Sequence, residues 1–193
     1  MSMVIRPTKI KDNFLAQEDF DKLQNFMCGS NSKMYWFYNN MIVDEDDVDN
    51  FKFSHTFYDA HSPQSSFMGV LNPILNIIKP LSILRIKANL LTRTSNIVEN
   101  QFHIDIVNLQ HSPELLNQWT TSIFYLNTNN GYSKFEDGTI VESVANRMVS
   151  FPSSTKHCGA SCTNEKIRVV LNFNYFENTP KGIEMIEEVE KRK

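Results

Sequence analysis

A chain of 193 residues, 41% hydrophobic and 21% charged, is long enough to bury a core and ordinary in composition for a globular domain. Its net charge of -3, with no basic block before the last few residues, argues against a nucleic-acid-binding surface, which needs clustered Lys and Arg. Cys28, Cys158 and Cys162 make no disulfide framework, no apolar run approaches the roughly 20 residues of a membrane span, and Met1 to Pro7 lacks the apolar core of a signal peptide, so a reducing, cytoplasmic setting is expected.

In chain order, Phe14, Leu15, Phe20, Leu23, Phe26 and Met27 recur at helical spacing, predicting a helix over 13–28 stopped by Gly29. Lys33 to Tyr38 is aromatic and reads as a strand. The acidic run Asp44 to Asp47 with Asp49 reads as a solvated loop, since the Gly and terminal Glu of a calcium-binding loop are missing. Phe51 to Tyr58 alternates with period 2, which predicts a strand with His55 as a satisfied core or pocket-rim residue. Ser65 or Ser66 is placed to cap a helix through about Ile78, with Pro73 bending it or marking a break near its start and Pro80 ending it.

From Leu81 the pattern becomes strands: Ser82–Thr92, Gln101–Asn108, Trp119–Thr128, Tyr132–Glu136, Thr139–Ser143, Arg147–Phe151, Lys156–Ser161 and Lys166–Tyr175. Asp137-Gly138 is a tight-hairpin signal and Asn129-Asn130-Gly131 another turn. Lys181 to Lys193 reads as a short helix. Helices followed by many short strands predict a double-stranded β-helix, a cupin-like jelly roll buttressed by N-terminal helices. The expected organisation is one domain over 1–193: support over 1–80, a jelly-roll core over 81–176 and a tail over 177–193.

The chemistry gathers between Gln101 and Phe176. On an extended strand His103 and Asp105 share a face, while Phe102, Ile104 and Ile106 turn to the other, toward an apolar layer. One imidazole and one carboxylate make two-thirds of a facial metal triad; a second His from a distant strand completes the set that leaves open positions on Fe(II). His157, at the start of a later strand, is the candidate. Arg168 sits in a Val/Leu/Phe-rich strand, where a guanidinium needs a buried anion. Arg168, Val170, Asn172 and Asn174 share one face, and Val169, Leu171, Phe173 and Tyr175 the packed one.

His103-x-Asp105, His157 and Arg168 together resemble the iron(II)/2-oxoglutarate-dependent dioxygenases. Thr121 to Asn127 is similar to the strand that follows the His-x-Asp pair in prolyl 4-hydroxylase-like members, Arg147 to Phe151 to the strand before their distal His, and Arg168 to Phe176 to their closing strand. The resemblance covers about Leu81 to Phe176; the N-terminal third is similar to small stand-alone members, phage-encoded ones included. In one departure, the usual Gly-Gly pair after the Tyr-Leu-Asn strand is Gly131-Tyr132 here.

The resemblance implies that His103, Asp105 and His157 are the catalytic metal ligands for Fe(II). It further implies that Arg168 pairs with the distal carboxylate of the co-substrate 2-oxoglutarate, that Tyr125 offers it a hydroxyl and that Asn172 lines the same site. With O2, and with ascorbate as an accessory reductant, the implied reaction forms succinate and CO2 and hydroxylates a substrate. A peptidyl proline leads by analogy, with a small molecule or a nucleobase as alternatives.

Other classes fit less well. Cys158 beside His157, with Cys162 four residues on, suggests zinc, but a closed site needs four ligands and no second Cys/His pair is evident. No G-x-S-x-G or similar nucleophile motif is present. His61 and His111 each precede Ser-Pro and read as turn residues. A catalytically silent jelly-roll binding protein is the main competitor, and it has no reason to keep His103, Asp105, His157 and Arg168 together.

Overall fold

Antiparallel pairing organises the chain from Lys9 to Phe176. The computed structural model describes residues 8–42 and 50–178; Met1 to Pro7, the acidic run at 44–49 and the C-terminal helix expected from Lys181 lie outside the described residues. The strands are β1 (Lys9–Lys11), β2 (Phe37–Asn39), β3 (Lys52–Asp59), β4 (Ser62–Pro63), β5 (Ser82–Thr92), β6 (Trp119–Tyr125), β7 (Tyr132–Phe135), β8 (Ile140–Glu142), β9 (Arg147–Pro152), β10 (His157–Gly159) and β11 (Ile167–Phe176), with helices α1 (Gln17–Cys28), α2 (Asn72–Ile78) and α3 (Pro113–Leu116). The large sheet runs β1-β9-β6-β11-β5-β3-β2, with β4 on β3, and the small sheet runs β10-β7-β8. This is the two-sheet jelly roll that the sequence predicts, left open rather than closed into a barrel.

Alternation along β11 explains the layering. Val169, Leu171, Phe173 and Tyr175 join Phe20, Leu23 and Met27 of α1 and Leu71 and Ile74 at α2 in one core on the outer face of the large sheet. Phe20 and Phe14 meet Phe124 edge-on at 6.1 and 6.0 Å. Each such fully buried side chain contributes roughly 1.5–3 kcal/mol. A second core, with Ile123, Tyr125, Phe135, Val149, Phe151 and Val170, lies on the opposite side of β11. The polar face of β11 is turned to this side, so the site opens between the two sheets.

Pro73 falls in the first turn of α2, where its missing N–H costs nothing, and a 3-10 turn over Met68–Leu71 precedes it. Ser65 Oγ accepts from Phe67 N–H at 3.1 Å but caps neither element, so the helix expected from Ser65 or Ser66 is shortened to the 3-10 turn and α2. His55 is a satisfied core residue: Nδ1 meets the Tyr35 carbonyl and Nε2 the Ser65 hydroxyl, both at 2.8 Å. His61 and His111 are exposed.

Two expected strands are corrected, and one strand is added that the sequence did not announce. The strand expected at Lys33–Tyr38 shrinks to β2, because only Phe37 to Asn39 meets β3. The edge strand β1 pairs with β9 although its residues are exposed, so no apolar alternation announces it. Gln101–Asn108 is no strand: it makes one bridge, His103 to His157, then bends into a 3-10 turn over Val107–Leu109. Of the three apolar residues expected to point inward there, Ile106 is buried but Phe102 is 42% exposed.

Candidate active site

Two histidines face each other across that bridge. His103 N–H donates to the His157 carbonyl and His157 N–H to the His103 carbonyl, each at 3.0 Å, and the rings stand 4.9 Å apart. His157 is buried against the edge of Phe151. In each imidazole Nδ1 meets a carbonyl two residues upstream: Gln101 for His103 at 3.1 Å and Thr155 for His157 at 3.3 Å. A carbonyl only accepts, so both Nδ1 atoms carry the proton and both Nε2 lone pairs are left for a metal. Both Nε2 atoms face Asp105 Oδ1, at 3.7 and 4.0 Å.

Asp105 is held from behind. Asn174 of β11 donates to Oδ2 at 3.0 Å and to Thr121 Oγ1 at 3.1 Å. Arg85 of β5 donates to the Asp105 carbonyl at 3.2 Å and stands 3.7 Å from Oδ1. The carbonyl that a strand partner would have taken is therefore satisfied by a side chain, and the chain turns away after one bridge. One donor atom from each of His103, Asp105 and His157 lies within 4.8 Å of the others, and among the described residues no other such group of three ligands occurs. Cys158 and Cys162 are buried, with Cys162 Sγ against the Glu165 carbonyl at 3.4 Å.

Burial pushes the Asp105 carboxyl up, but the surrounding His157, Arg85 and His103 and the Asn174 hydrogen bond outweigh it, and the group lies below the usual carboxylate range. Burial pushes His157 down from its ordinary value of 6.5. The unfolded chain therefore takes up the His157 proton first, so stability falls as pH drops below 6.5 toward the folded value. Asp105 works in the same direction: its contribution is present above the unfolded value of 3.8 and is lost as pH falls through the lower folded value. In chelator-treated protein the urea midpoint should fall between pH 7.5 and 5.5, and His157→Gln should flatten that slope. An equal slope in the variant would assign the acid sensitivity elsewhere.

Arg168 is 4% exposed. Its Nε donates to Ser143 Oγ at 2.8 Å, and Nη2 donates to the Tyr132 carbonyl at 3.1 Å and to Ser133 Oγ at 3.2 Å. The guanidinium carbon lies 5.7 Å from the centre of the Tyr125 ring. Among the described residues no carboxylate forms an ion pair with it. Burial works against its charge, so the site is short of an anion. Tyr125 is fully buried and its hydroxyl donates to Ser133 Oγ at 2.8 Å, so Tyr125 and Arg168 converge on one serine. A pocket runs from Arg168 past Asn172, Asn89 and Ile123 to His103 and His157; the Oδ1 atoms of Asn172 and Asn89 are buried without a partner among the described residues.

Sequence reasoning did not single out Ser133, Ser143 and Arg85. The first two carry no motif, although Ser133 and Phe135 alternate with Tyr132 and Lys134 and so mark an inward position. Arg85 carried a readable signal: Arg85, Lys87 and Asn89 alternate with Ile86, Ala88 and Leu90 on β5.

Gly131 occupies the departure noted in the Gly-Gly pair. A Cβ there would stand 2.7 Å from the Ser161 carbonyl oxygen and 2.8 Å from Arg168 Cδ. Tyr132 turns outward instead, its hydroxyl donating to Glu99 at 2.6 Å. Gly131→Ala should cost about 1–3 kcal/mol in urea unfolding, typical of overpacking, and should move the Arg168 side-chain NMR signals; unchanged signals would show that the loop absorbs the methyl group.

No family model and no curated protein matches the chain. Solved structures do. An oxidoreductase of the 2OG-Fe(II) oxygenase family from Burkholderia pseudomallei matches with a TM-score of 0.60 at 12% identity, over 88% of this chain and 84% of that one. The fold is that of the 2-oxoglutarate–iron(II) oxygenases. A prolyl hydroxylase from Trichoplax adhaerens, solved with a hypoxia inducible factor peptide fragment, shares it at a TM-score of 0.55, 12% identity and coverage of 88% and 83%. So does the non-heme alpha ketoglutarate dependent epimerase SnoN from nogalamycin biosynthesis, at 0.56, 11% identity and coverage of 89% and 78%. The resemblance read from His103, Asp105, His157 and Arg168 is thus borne out in the oxygenase fold. Among the described residues no helix is long and apolar enough to cross a membrane.

Proposed function

We propose that this chain is a non-haem Fe(II)- and 2-oxoglutarate-dependent dioxygenase. The observation that carries the reading is the pairing of a His-Asp-His cluster with a buried guanidinium that has no carboxylate partner among the described residues, at two ends of one pocket. Two imidazoles and one carboxylate suit iron(II) and leave positions free. When bound, iron and 2-oxoglutarate supply oxidative decarboxylation with O2, forming succinate and CO2 and hydroxylating a carbon on the substrate.

The residues supply the rest. His103 and His157 present Nε2 because their Nδ1 protons are committed to carbonyls. Asp105 presents Oδ1 because Asn174 holds Oδ2. Arg168, its Nε and Nη2 held by Ser143, Ser133 and the Tyr132 carbonyl, would hold the distal carboxylate of 2-oxoglutarate through Nη1. Tyr125 steadies that arrangement through Ser133, and Asn172 lines the wall between the two ends. Ile123, Leu91 and Val170 add apolar wall to a passage that Asn89 and Asn172 also line. For the substrate we adopt a peptidyl proline or a related group, by analogy with the neighbour solved with a peptide.

Anaerobic addition of 2-oxoglutarate to the iron(II)-loaded chain should produce a visible charge-transfer absorption, and admission of oxygen should discharge it with release of succinate. A band that persists in oxygen without succinate would instead establish a silent binding protein.

A further inference from the structure

We infer that the substrate carries an anionic group, a carboxylate or phosphate, bound by Arg85 and Lys87 beside the metal ligands. The inference rests on the oxygenase reading and names the substrate class of the same site.

The register places the two cations. Along β11 and β5, Asn172 pairs with Lys87 and Asn174 with Arg85. Residues directly opposite in an antiparallel pair share a face, so Lys87 lies on the face of Asn172, which lines the pocket, and Arg85 on the face of Asn174, which holds Asp105. The inward residues of β5 thus run Leu91, Asn89, Lys87, Arg85, from opposite Arg168 to the metal ligands. With 2-oxoglutarate spanning the Arg168 end, Lys87 and Arg85 lie on the side left for substrate.

Among the described residues the fold answers their charges only in part. Arg85 gives Nη2 to the Asp105 carbonyl, and among the described residues its buried Nε has no partner. Its only ion-pair approach among the described residues is 3.7 Å to Asp105 Oδ1, the oxygen assigned to the metal. Lys87 is half-buried and has no ion pair among the described residues; Asp59 and Asp105 act on it only at longer range, while burial and Arg85 push its ammonium below the ordinary range. Two neighbouring, partly desolvated cations are costly unless an anion joins them. Iron(II) bound to Asp105 adds to the positive charge there, and 2-oxoglutarate answers Arg168 and the metal rather than this pair.

Side-chain NMR on the zinc-loaded chain, saturated with 2-oxoglutarate, tests the inference without turnover. The Arg85 Nε–H signal, assigned by its loss in Arg85→Gln, should shift saturably with acetate or inorganic phosphate and not with chloride at equal ionic strength. Lys87→Gln should weaken that response at least fivefold. Two arms separate the sources of the anion: the peptide Ac-Ala-Pro-Asp-NH2 against Ac-Ala-Pro-Asn-NH2, and free L-proline against L-prolinamide. A response only to the acidic peptide assigns a side chain, and a response only to free proline assigns an α-carboxylate. An Arg85 signal indifferent to acetate and phosphate, or equally responsive in Lys87→Gln, would overturn the inference. The Arg168 Nε–H signal reports separately on 2-oxoglutarate, so failure of the co-substrate reading shows there and not at Arg85.

Discussion

Asp105→Ala should bind iron(II) at least a hundredfold more weakly than the parent chain and form no succinate. The substitution removes one of three ligands and the only anionic one, so two neutral imidazoles are left to hold a dication. It also removes the carboxylate that accepts from Asn174 and stands 3.7 Å from Arg85, although the Asp105 carbonyl still accepts from Arg85, and a lost buried partner of this kind costs about 1–3 kcal/mol. The variant should therefore fold with a lowered urea midpoint. Asp105→Asn separates the two effects: its side-chain carbonyl can still accept from Asn174, so stability should recover while iron affinity stays low. Metal titration and urea unfolding on the three proteins decide the matter. Full activity in Asp105→Ala, or a metal held by Cys158 and Cys162 in a crystal, would remove the assignment.

Arg168→Ala should raise the apparent constant for 2-oxoglutarate ten- to a hundredfold while leaving iron binding nearly intact. A charge-assisted contact is worth about 1.5–3 kcal/mol, and each 1.4 kcal/mol is about tenfold in affinity. The structure strengthens the case, because Arg168 is nearly fully buried and its partners are two hydroxyls, a carbonyl and the Tyr125 ring, none of which carries a formal negative charge. Arg168→Lys should recover part of the loss, since it keeps the charge without the fork. Tyr125→Phe should cost less, about 0.5–1.5 kcal/mol for a neutral hydrogen bond, because its hydroxyl reaches the guanidinium only through Ser133. Pyruvate, which lacks the distal carboxylate, should be poor with the parent chain and hardly worse with Arg168→Ala. Titration of the ferrous proteins with both acids gives the answer; an unchanged constant for 2-oxoglutarate in Arg168→Ala would make the arginine a structural residue.

Much of the scaffold was legible because period-2 alternation is local. Ser82–Thr92 appears with the bounds read from the sequence, and Lys166–Tyr175 differs by one residue at each end. The face carrying Arg168, Val170, Asn172 and Asn174 was readable for the same reason: on a strand, neighbours two apart must share a side. Pro73 was legible as a bend or a break because its ring disfavours the helix interior, while the start of the regular helix at Asn72 was not. The pairing of β1 with β9 was not legible, since an exposed edge strand needs backbone partners and no apolar pattern.

Around the candidate centre the division is clearer. The residue types and their chain order were present in the sequence, His103 and Asp105 two apart and His157 and Arg168 later. Their convergence is a property of the fold. Alternation around Phe102, Ile104 and Ile106 predicted a strand, yet the chain leaves the sheet after one bridge, and Arg85, 20 residues upstream, takes the Asp105 carbonyl. Likewise only the packing of β7 and the segment after β8 against β11 brings Ser133 and Ser143 to Arg168, 35 and 25 residues away in the chain. Sequence by itself determined which faces are polar and which side chains can ligate, since those follow from residue chemistry and local period. Tertiary structure alone decided which of them meet, because hydrogen bonds between distant segments carry no local signature.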